Sequence, residues 1–447
     1  MLDLFNIGIV VTIFSLLYAY RSTIARERVI RDAHGQIAVR NPHQVILRTL
    51  ANLSNFQVVN LLDFNVIGTE GSFRDDPHHQ YFNPTNHTTP FFQVFDDEFI
   101  DVIGSNPSLN VISSDPSFAF AHEAPVWVPH SDEIFFASNA GGDLGRSDLN
   151  HNNQIAKISL KDVAQAMAEG PADVNVTHYK IDLPDDVQMT NGGTGLYKGK
   201  IILTNEGRGH LPANLALMDP HPPYNVSILL DNFYGRQFNS LNDVKVHSSG
   251  NIFFTDVPYG YYQHFKADPQ LPNQVYSFNP GTGAIRVVAD QLNKPNGIAF
   301  SKNHKTVYLA DTGSLIAKFG INLTLPATIQ EYDVDSKTLA FKNPRVFAYA
   351  DSGAPDGLGV DEFGNVYGAC FDGVNVCCSG LVYLCCSSQL DMFNQVWNPS
   401  GILIGKFFLG TKSANFAFAG KGRLVILAET KIYLAQINAK GMSLMYG

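Results

Sequence analysis

Six polar side chains recur at one phase of a repeated sequence pattern, and they are of the types that bind a hard metal cation. Each stands 9 to 11 residues ahead of an apolar run. They are Glu123, Asn191, Asn242, Asn296, Asp356 and Asn415. Two carboxylates and four amides supply oxygen donors and a formal charge of −2, which suits Ca²⁺, whereas zinc sites use His and Cys. The pattern therefore predicts one site for one divalent cation.

These side chains lead six copies of one hairpin pattern. In each copy, a polar leader and a β-rich stretch are followed by a short turn and a second apolar run. The second runs begin at Ile134, Ile201, Ile252, Val307, Val366 and Leu424. Their spacing of 51 to 67 residues is enough for a four-stranded blade with loops, and such blades close radially. We expect an all-β, six-bladed β-propeller whose first strands line a channel and bring the six side chains together at one mouth.

A turn is the competing explanation for three of the six. Asn191, Asn296 and Asp356 each precede a glycine, and Asn-Gly and Asp-Gly are common turn dipeptides. The other three precede Ala-Pro, Asp-Val and Phe-Ala, where a turn gains little. A shared site explains all six positions together, so it is the better interpretation.

Composition limits the class of protein and the class of partner. Among 447 residues, 45% are hydrophobic and 16% charged, with 37 Gly and 23 Pro, which is typical of a globular chain with many tight turns. The net charge of −10, with no basic block, argues against a nucleic-acid partner. All five cysteines lie between Cys370 and Cys386, so disulfides cannot staple the whole fold.

The N-terminus carries an uncharged apolar run from Leu4 to Tyr20. Residues 1–20 are a signal peptide or a membrane anchor, and both alternatives stay open. Sequons at Asn52, Asn86, Asn175, Asn225 and Asn322 fit passage through the secretory pathway. We therefore expect a secreted or membrane-anchored glycoprotein whose membrane association, if any, uses this segment alone.

The remaining chain divides into a linker and the propeller. Residues 21–89 show no blade pattern and are interpreted as a linker and cap, and residues 90–447 as the propeller. The segment 90–115 precedes the first hairpin, so we expect it to supply a strand that closes the ring against the last blade.

Eight stretches carry a resemblance to one known family. They are HEAPVW (122–127), FYGRQFNSLNDV (233–244), FFTDVPYGY (253–261), PNGIAF (295–300), VYLADTG (307–313), PDGLGVDEFGNVYGAC (355–370), WNPSGILIGK (397–406) and ANFAFAGKGRL (414–424). Together they resemble the gluconolactonase and senescence-marker-protein superfamily of calcium-dependent propellers. The likeness is closest to the fungal lactonohydrolases that open aldonolactones and pantolactone.

The resemblance implies a ligand set and a reaction. In that superfamily, a Glu from the first blade, Asn residues from middle blades and the Asp of a Pro-Asp-Gly motif hold the metal. The residues that match by motif are Glu123, Asn242, Asn296 and Asp356. Asn191 and Asn415 are left as substrate-binding residues. The implied reaction is hydrolysis of a small-molecule lactone, in which the cation polarises the carbonyl and a general base activates water.

The general base has two candidates. Asp356 comes first because a carboxylate beside the metal can also accept a proton. His122 comes second, because strand alternation turns it away from the channel that Glu123 faces unless the strand begins with a bend. Related animal lactonases use a His near the channel mouth, but the matching blade here begins with Asn191.

Two non-hydrolytic functions remain as alternatives. The same superfamily resemblance extends to calcium-binding scaffolds and to strictosidine-synthase-like enzymes, and a fold does not dictate a function. The complete metal quartet favours hydrolysis, since a propeller that has abandoned metal chemistry need not keep it.

Residues 376–395 interrupt a stretch that runs, in the fungal family, directly from Asp-Gly-Val into Trp-Asn-Pro-Ser-Gly. The interruption contains CC-x₆-CC, which is not a zinc-finger spacing. Val codons begin with GT and a Gln codon can end in AG, so excision of codons 376 to 395 would join Asn375 to Val396 in frame. Our hypothesis is a retained intron, which would form a loop outside the propeller when translated.

Overall fold

The computed structural model describes residues 29–31, 37–39, 55–60, 83–315, 322, 324–350, 353–370, 392–411 and 413–442. Within them the fold is all-β, and six sheets of four or more strands, antiparallel within each blade, form a propeller. The prediction of a six-bladed β-propeller is confirmed.

Five strands and one helix precede the first blade. They are β1 (Val29–Arg31), β2 (Ile37–Val39), β3 (Phe56–Val58), β4 (Phe91–Val94), α1 (Glu98–Ile103) and β5 (Ser108–Ser114). The first two pair with each other as a separate ribbon, and the other three strands join later blades.

Blades one to three follow in chain order, and each runs from the channel outward. Blade one contains β6 (Glu123–Val128), β7 (Glu133–Ala137), β8 (Ile155–Ser159), helix α2 (Leu160–Glu169) and β9 (Tyr179–Ile181). Blade two contains β10 (Thr190–Tyr197), β11 (Lys200–Asn205), β12 (Asn214–Met218) and β13 (Val226–Leu230). A small hairpin, β14 (Asn232–Phe233) and β15 (Arg236–Gln237), leads to blade three. That blade contains β16 (Leu241–Val246), β17 (Ile252–Asp256), helix α3 (Tyr259–Tyr262), β18 (Gln274–Phe278) and β19 (Ile285–Ala289).

Blades four to six complete the circle. Blade four contains β20 (Pro295–Phe300), β21 (Thr306–Asp311), β22 (Thr328–Val334) and β23 (Phe341–Tyr349). Blade five contains β24 (Pro355–Val360), β25 (Val366–Cys370), β26 (Met392–Trp397) and β27 (Leu403–Thr411). Blade six contains β28 (Asn415–Phe418), β29 (Arg423–Ala428) and β30 (Lys431–Gln436).

The core lies between the blades. The second strand of each blade is a short apolar run buried on both faces, because each sheet packs between its two neighbours. In blade three, for example, every residue of β17 is buried. Phe254 of β17 packs with Phe238 and Tyr276 and belongs to the same core cluster as Leu215 of blade two. Phe253 faces blade four through Phe300, at 5.2 Å between ring centroids.

The ring is closed by strands from opposite ends of the chain. β5 pairs antiparallel with β30 and becomes the outermost strand of blade six, with Val111 opposite Tyr433. The expectation that segment 90–115 supplies the closing strand is therefore correct. The same segment also gives β4, which pairs with β27 and extends blade five, and β3 pairs parallel with β4.

The interruption in blade five is only partly described. Residues 371–391 lie outside the described residues, as do four of the five cysteines, and Cys370 is buried at the end of β25. The last four residues of the segment 376–395 belong to β26, in which Asn394 pairs with Ala369 and Gln395 with Gly368. The expectation that the whole segment lies outside the propeller is wrong at this end, because Met392–Trp397 forms the third strand of the blade.

The apolar run Leu4–Tyr20 also lies outside the described residues. In the part of the chain that the structure describes, no helix is long and apolar enough to cross a membrane. The boundaries drawn at residues 20 and 89 stay predictions.

Candidate active site at the channel mouth

The six predicted side chains, called here the polar ring, all lie at the start of an innermost strand. Each is the first or second residue of β6, β10, β16, β20, β24 or β28. All six are buried. The turn explanation for Asn191, Asn296 and Asp356 is wrong, because the glycine after each lies inside a strand. The end of the channel at which these strands begin is called the mouth below.

Direct contacts link the ring residues of neighbouring blades. Asn415 of blade six donates from Nδ2 to Glu123 Oε2 of blade one at 2.7 Å. The Asn296 side chain of blade four lies close enough to the carboxyl group of Asp356 in blade five to lower its pKa against the larger effect of burial, and Asn296 Nδ2 donates to the Tyr259 hydroxyl at 3.3 Å. Across the ring, Asn191 donates to Glu206 Oε1 at 3.0 Å rather than to another ring residue. Neighbouring blades thus bring Asn415 against Glu123 and Asn296 against Asp356, while Asn191 is held by Glu206 from outside the ring.

Glycine follows three of the ring residues because the next blade leaves no space for a side chain. A Cβ at Gly192 would lie 2.2 Å from the Asn242 carbonyl oxygen, and one at Gly297 would lie 2.1 Å from that of Asp356. A Cβ at Gly357 would lie 2.4 Å from the Asn415 side chain. The Asn-Gly and Asp-Gly pairs thus reflect close packing of strands around the channel.

Threonines on the second strands hydrogen-bond the backbone of ring residues, a role that was not predicted from the sequence. Thr255 Oγ1 donates to the Asn296 carbonyl of the next blade at 2.9 Å and accepts from Asp243 N at 3.0 Å. Thr204 makes the equivalent pair of bonds, to the Asn242 carbonyl and from Gly192 N. The available signal was the Thr-Asn and Thr-Asp pair that ends β11 and β17.

The two ring carboxyl groups are poised to bind a cation. Burial and the charge of Asp356 raise the pKa of Glu123 well above its usual value, against the opposing effect of His122. Burial likewise raises the pKa of Asp356 to about 7, again against His122. A bound cation would offset both effects, so the residues fit a divalent metal.

The donor set would be mixed rather than purely acidic. Within the described ranges, no group of three or more His, Cys, Asp or Glu side chains could hold a metal ion. Any metal in the ring would therefore need amide oxygens from Asn242 and Asn296 beside the two carboxylates, which is a calcium-like set of ligands.

His122 lies beside the ring, and its partner Glu429 was not anticipated. His122 Nδ1 lies 2.9 Å from Glu429 Oε1, and Asn139 Nδ2 donates to Glu429 Oε2 at 2.9 Å. Burial lowers the pKa of His122, but the charge and hydrogen bond of Glu429 outweigh it and raise the pKa to about 9. Strand alternation does not apply to His122, because it precedes β6, which begins at Glu123.

Glu206 is a second functional candidate that the sequence analysis did not single out. It is fully buried directly after β11, and burial raises its pKa to about 7 against the hydrogen bond from Asn191. Its Oε2 and the Oδ1 of Asn191 have no hydrogen-bond partner. Asn191 therefore presents an unused acceptor, as a ligand-binding residue would.

A cavity of about 300 Å³ lies on the other side of the ring. Later residues of the inner strands line it, including Trp127, Phe300 and Phe418, and Asn415 is the one ring residue that borders it. The titratable groups described above lie on the mouth side instead, so we place the candidate chemistry there.

Fold and site together define a six-bladed propeller whose channel mouth is lined by oxygen donors. The chain belongs to the family described as SMP-30/Gluconolactonase/LRE-like region, whose profile matches residues 121–379, more than half of its length. The resemblance inferred from the sequence motifs is thereby confirmed.

Individual relatives agree with the family. Lactonohydrolase oryL of Aspergillus oryzae is 31% identical over 294 residues, which are 62% of this chain and 62% of that protein. A gluconolactonase structure from Xanthomonas campestris has a TM-score of 0.57 and 20% identity, covering 78% of this chain and 95% of its own. A calcium-binding regucalcin from Agrobacterium tumefaciens has a TM-score of 0.51 and 15% identity, covering 76% and 97%. The two structural likenesses show the fold alone.

Proposed function

We propose that this protein is a calcium-dependent hydrolase that opens a lactone ring. The observation that carries the proposal is the pair of buried carboxyl groups, Glu123 and Asp356, set among amides at one channel mouth. Family membership supports the reaction class, since the family profile is described as gluconolactonase-like and a relative 31% identical to this chain is named a lactonohydrolase. A sugar lactone, a pantolactone-like compound or a secondary-metabolite lactone would fit.

The metal part of the proposal rests on four residues. Glu123, Asn242, Asn296 and Asp356 would hold Ca²⁺ through carboxylate and amide oxygens. When bound, the ion would polarise the lactone carbonyl and stabilise negative charge on its oxygen. The choice of Ca²⁺ rests on this donor set of two carboxylates and two amides.

The attacking water needs a base, and two residues qualify. Asp356 is the first candidate, as a carboxylate beside the metal. His122 is the second: against the effect of burial, Glu429 raises its pKa to about 9, so its Nε2 would hold a proton near pH 7 and would accept one only after losing it at higher pH. The water oxygen bonds to the carbonyl carbon, the ring C–O bond breaks, and the proton taken by the base passes to the departing alkoxide. The product is a hydroxy acid.

Turnover of a lactone panel tests the proposal. Purified protein would be assayed against aldonolactones, pantolactone and aryl esters, with calcium and with a chelator. We expect ring opening that the chelator abolishes and added calcium restores. Calcium binding without cleavage of any of these esters would instead support a non-hydrolytic propeller, and full activity in chelator would refute the metal dependence.

We also propose entry into the secretory pathway, as a secreted or membrane-anchored protein. The run Leu4–Tyr20 and the sequons support it, and Asn86, Asn175 and Asn225 are exposed. Expression in a eukaryotic host followed by glycosidase treatment would test it. Protein that stays in the cytosol with Met1 intact and no glycan would refute it.

A further inference from the structure

Four buried polar atoms without hydrogen-bond partners gather on the mouth side of the ring. They are Asn191 Oδ1, Glu206 Oε2, Gln263 Oε1 and Lys266 Nζ, called here the mouth cluster. Gln93 aside, seven such side-chain atoms occur in the described part of the chain, and four of them lie here. Buried polar groups are normally paired, and a local concentration of unpaired ones indicates a place where a ligand completes the bonds.

Two loops bring the mouth cluster together. Glu206 begins the loop after β11, and Lys266 lies in the loop after β17. Gly209 N donates to the Phe265 carbonyl at 2.7 Å, and Gly209 pairs with Lys266 as an isolated parallel bridge. Both loops follow second strands, which run back toward the mouth. The cluster therefore adjoins the polar ring through Asn191.

Lys266 is the one cation of the cluster. Burial lowers its pKa, opposed by the charges of Asp256 and Glu206, yet its ammonium group hydrogen-bonds to neither carboxylate. The charges of Lys266 and Glu206 act on each other, so an unpaired donor and an unpaired carboxylate oxygen belong to the same buried region. A ligand group that accepts from the first and donates to the second would satisfy both, and a hydroxyl group does this with one oxygen atom.

We propose that Lys266 is a specificity-determining residue that donates to a hydroxyl substituent of the lactone substrate, while the same hydroxyl donates to Glu206. The inference rests on the proposed lactone hydrolysis and deepens it. It makes the enzyme selective for lactones that carry such a hydroxyl group, because a deoxy analogue would leave Lys266 and Glu206 unpaired.

A pair of lactones that differ in one group tests the proposal. Pantolactone and its analogue without the 2-hydroxyl group would be compared on wild type, Lys266→Met, Lys266→Arg and the control Lys157→Met, whose lysine pairs with Glu133 in blade one. We expect Lys266→Met to lower kcat/KM for pantolactone about 10-fold or more and to change that for the deoxy lactone less than about 3-fold. Lys266→Arg should recover part of the loss, and Lys157→Met should match wild type on both.

Binding of the ring-opened product tests the role of Lys266 without requiring that the protein hydrolyse a lactone. Pantoate, the ring-opened acid, should raise the Tm of wild type more than its deoxy counterpart does, and Lys266→Met should remove that difference. Equal loss on both lactones, or none, together with an unchanged Tm difference, would overturn the role of Lys266. A wild type that opens no lactone, yet shows the Lys266-dependent Tm difference, would refute the hydrolase and leave the hydroxyl site standing.

Discussion

The polar ring combines few charges with many neutral oxygens, and burial explains why. Each ionised carboxylate removed from water is costly unless a partner offsets its charge. With Glu123 and Asp356 alone charged, the ring carries −2, which one Ca²⁺ neutralises. Four amides add donors without adding repulsion. We infer that the balance of two acids and four amides suits a single dication better than a ring of six acids would.

Removing either charge should therefore remove the metal. Glu123→Gln and Asp356→Asn keep the shape of each side chain but halve the negative charge of the ring. We expect calcium measured by equilibrium dialysis to fall below one per chain and kcat/KM to fall at least about 100-fold. Glu133→Gln in the same blade is the matched control. Retention of stoichiometric calcium with normal turnover in either variant would show that the ring assignment is incorrect.

The glycine beside Asn296 gives a second test at this scale. In Gly297→Ala, the added Cβ would lie 2.1 Å from the Asp356 carbonyl oxygen, so blades four and five would have to separate. We expect a loss of about 1–3 kcal/mol in stability and weaker calcium binding. Gly281→Ala is the control, since its Cβ lies 3.3 Å from its nearest neighbour in an exposed turn. Equal Tm values and equal calcium affinities for the two variants would show that close packing at Gly297 does not hold the ring in place.

At the scale of elements, the repeated hairpin predicts the blades well because its signal is periodic. Six apolar second runs and six polar leaders report the inner strands and the ring. Thr204, Thr255 and Glu429 escaped notice because a polar residue at a strand end looks ordinary in a sequence. Their bonds cross between blades, and neither the partner nor the distance is encoded locally. The position of His122, which precedes β6, is likewise set by its contact with Glu429 of blade six.

Asp256 shows how such an end residue supports the site. It accepts from Asn239 N and Ser240 N, at 3.1 and 2.8 Å, and so holds the chain that leads into β16 and Asn242. Burial raises its pKa to about 6, against those two bonds. A raised carboxyl pKa means that the folded state binds the proton more tightly. This contribution to stability is complete below about pH 4 and is lost as the pH rises through 6.

Asp256→Asn should therefore flatten part of the pH dependence. The group accounts for at most about 3 kcal/mol of stability lost between pH 4 and 7. The variant, neutral throughout, should be less stable than wild type by more at pH 4.5 than at pH 7.5. Urea unfolding midpoints at both pH values would measure this, with exposed Asp231→Asn as control. A difference independent of pH would contradict the assigned role of the Asp256 proton.

For the whole molecule, closure of the ring depends on a strand that comes before the first blade. β5 covers the edge of β30 and buries Ile112 in the core shared with blade one. Without it, the last blade would expose an unpaired edge. The fold is thus closed by hydrogen bonds between distant parts of the chain, which makes folding depend on both ends of the propeller.

Two truncated chains distinguish the role of β5 in closing the ring from the role of the residues before residue 83. A chain of residues 83–447 keeps β4, α1 and β5, and we expect it to fold with a lowered Tm, because it loses the buried Phe56 of β3. A chain of residues 115–447 lacks β5, and we expect it to lose cooperative unfolding, followed by circular dichroism. Equal stability of the two would show that β5 is dispensable for closure.

The register of β25 and β26 makes the origin of the interruption in blade five testable. Gly368 pairs with Gln395 and Ala369 with Asn394. If codons 376 to 395 were removed, Asn375 would take the place of Gln395 and residue 374 that of Asn394. The connection would shrink to residues 370–373, a short hairpin loop that contains Asp372 and Gly373.

We therefore expect a protein without residues 376–395 to fold with a higher Tm than the full chain and to keep calcium binding. β25 ends at the mouth, so the shorter loop should also leave the channel at least as open, and kcat/KM for a lactone should not fall.

Sequencing of transcripts from the source organism should find most of them without those 60 nucleotides, as a retained intron requires. A deletion variant that fails to fold, beside abundant mature messages that contain the segment, would show that Met392–Gln395 and the residues before them are an original part of the blade. The two measurements are independent, since one reads the register of a strand and the other reads splicing, and the intron hypothesis needs both.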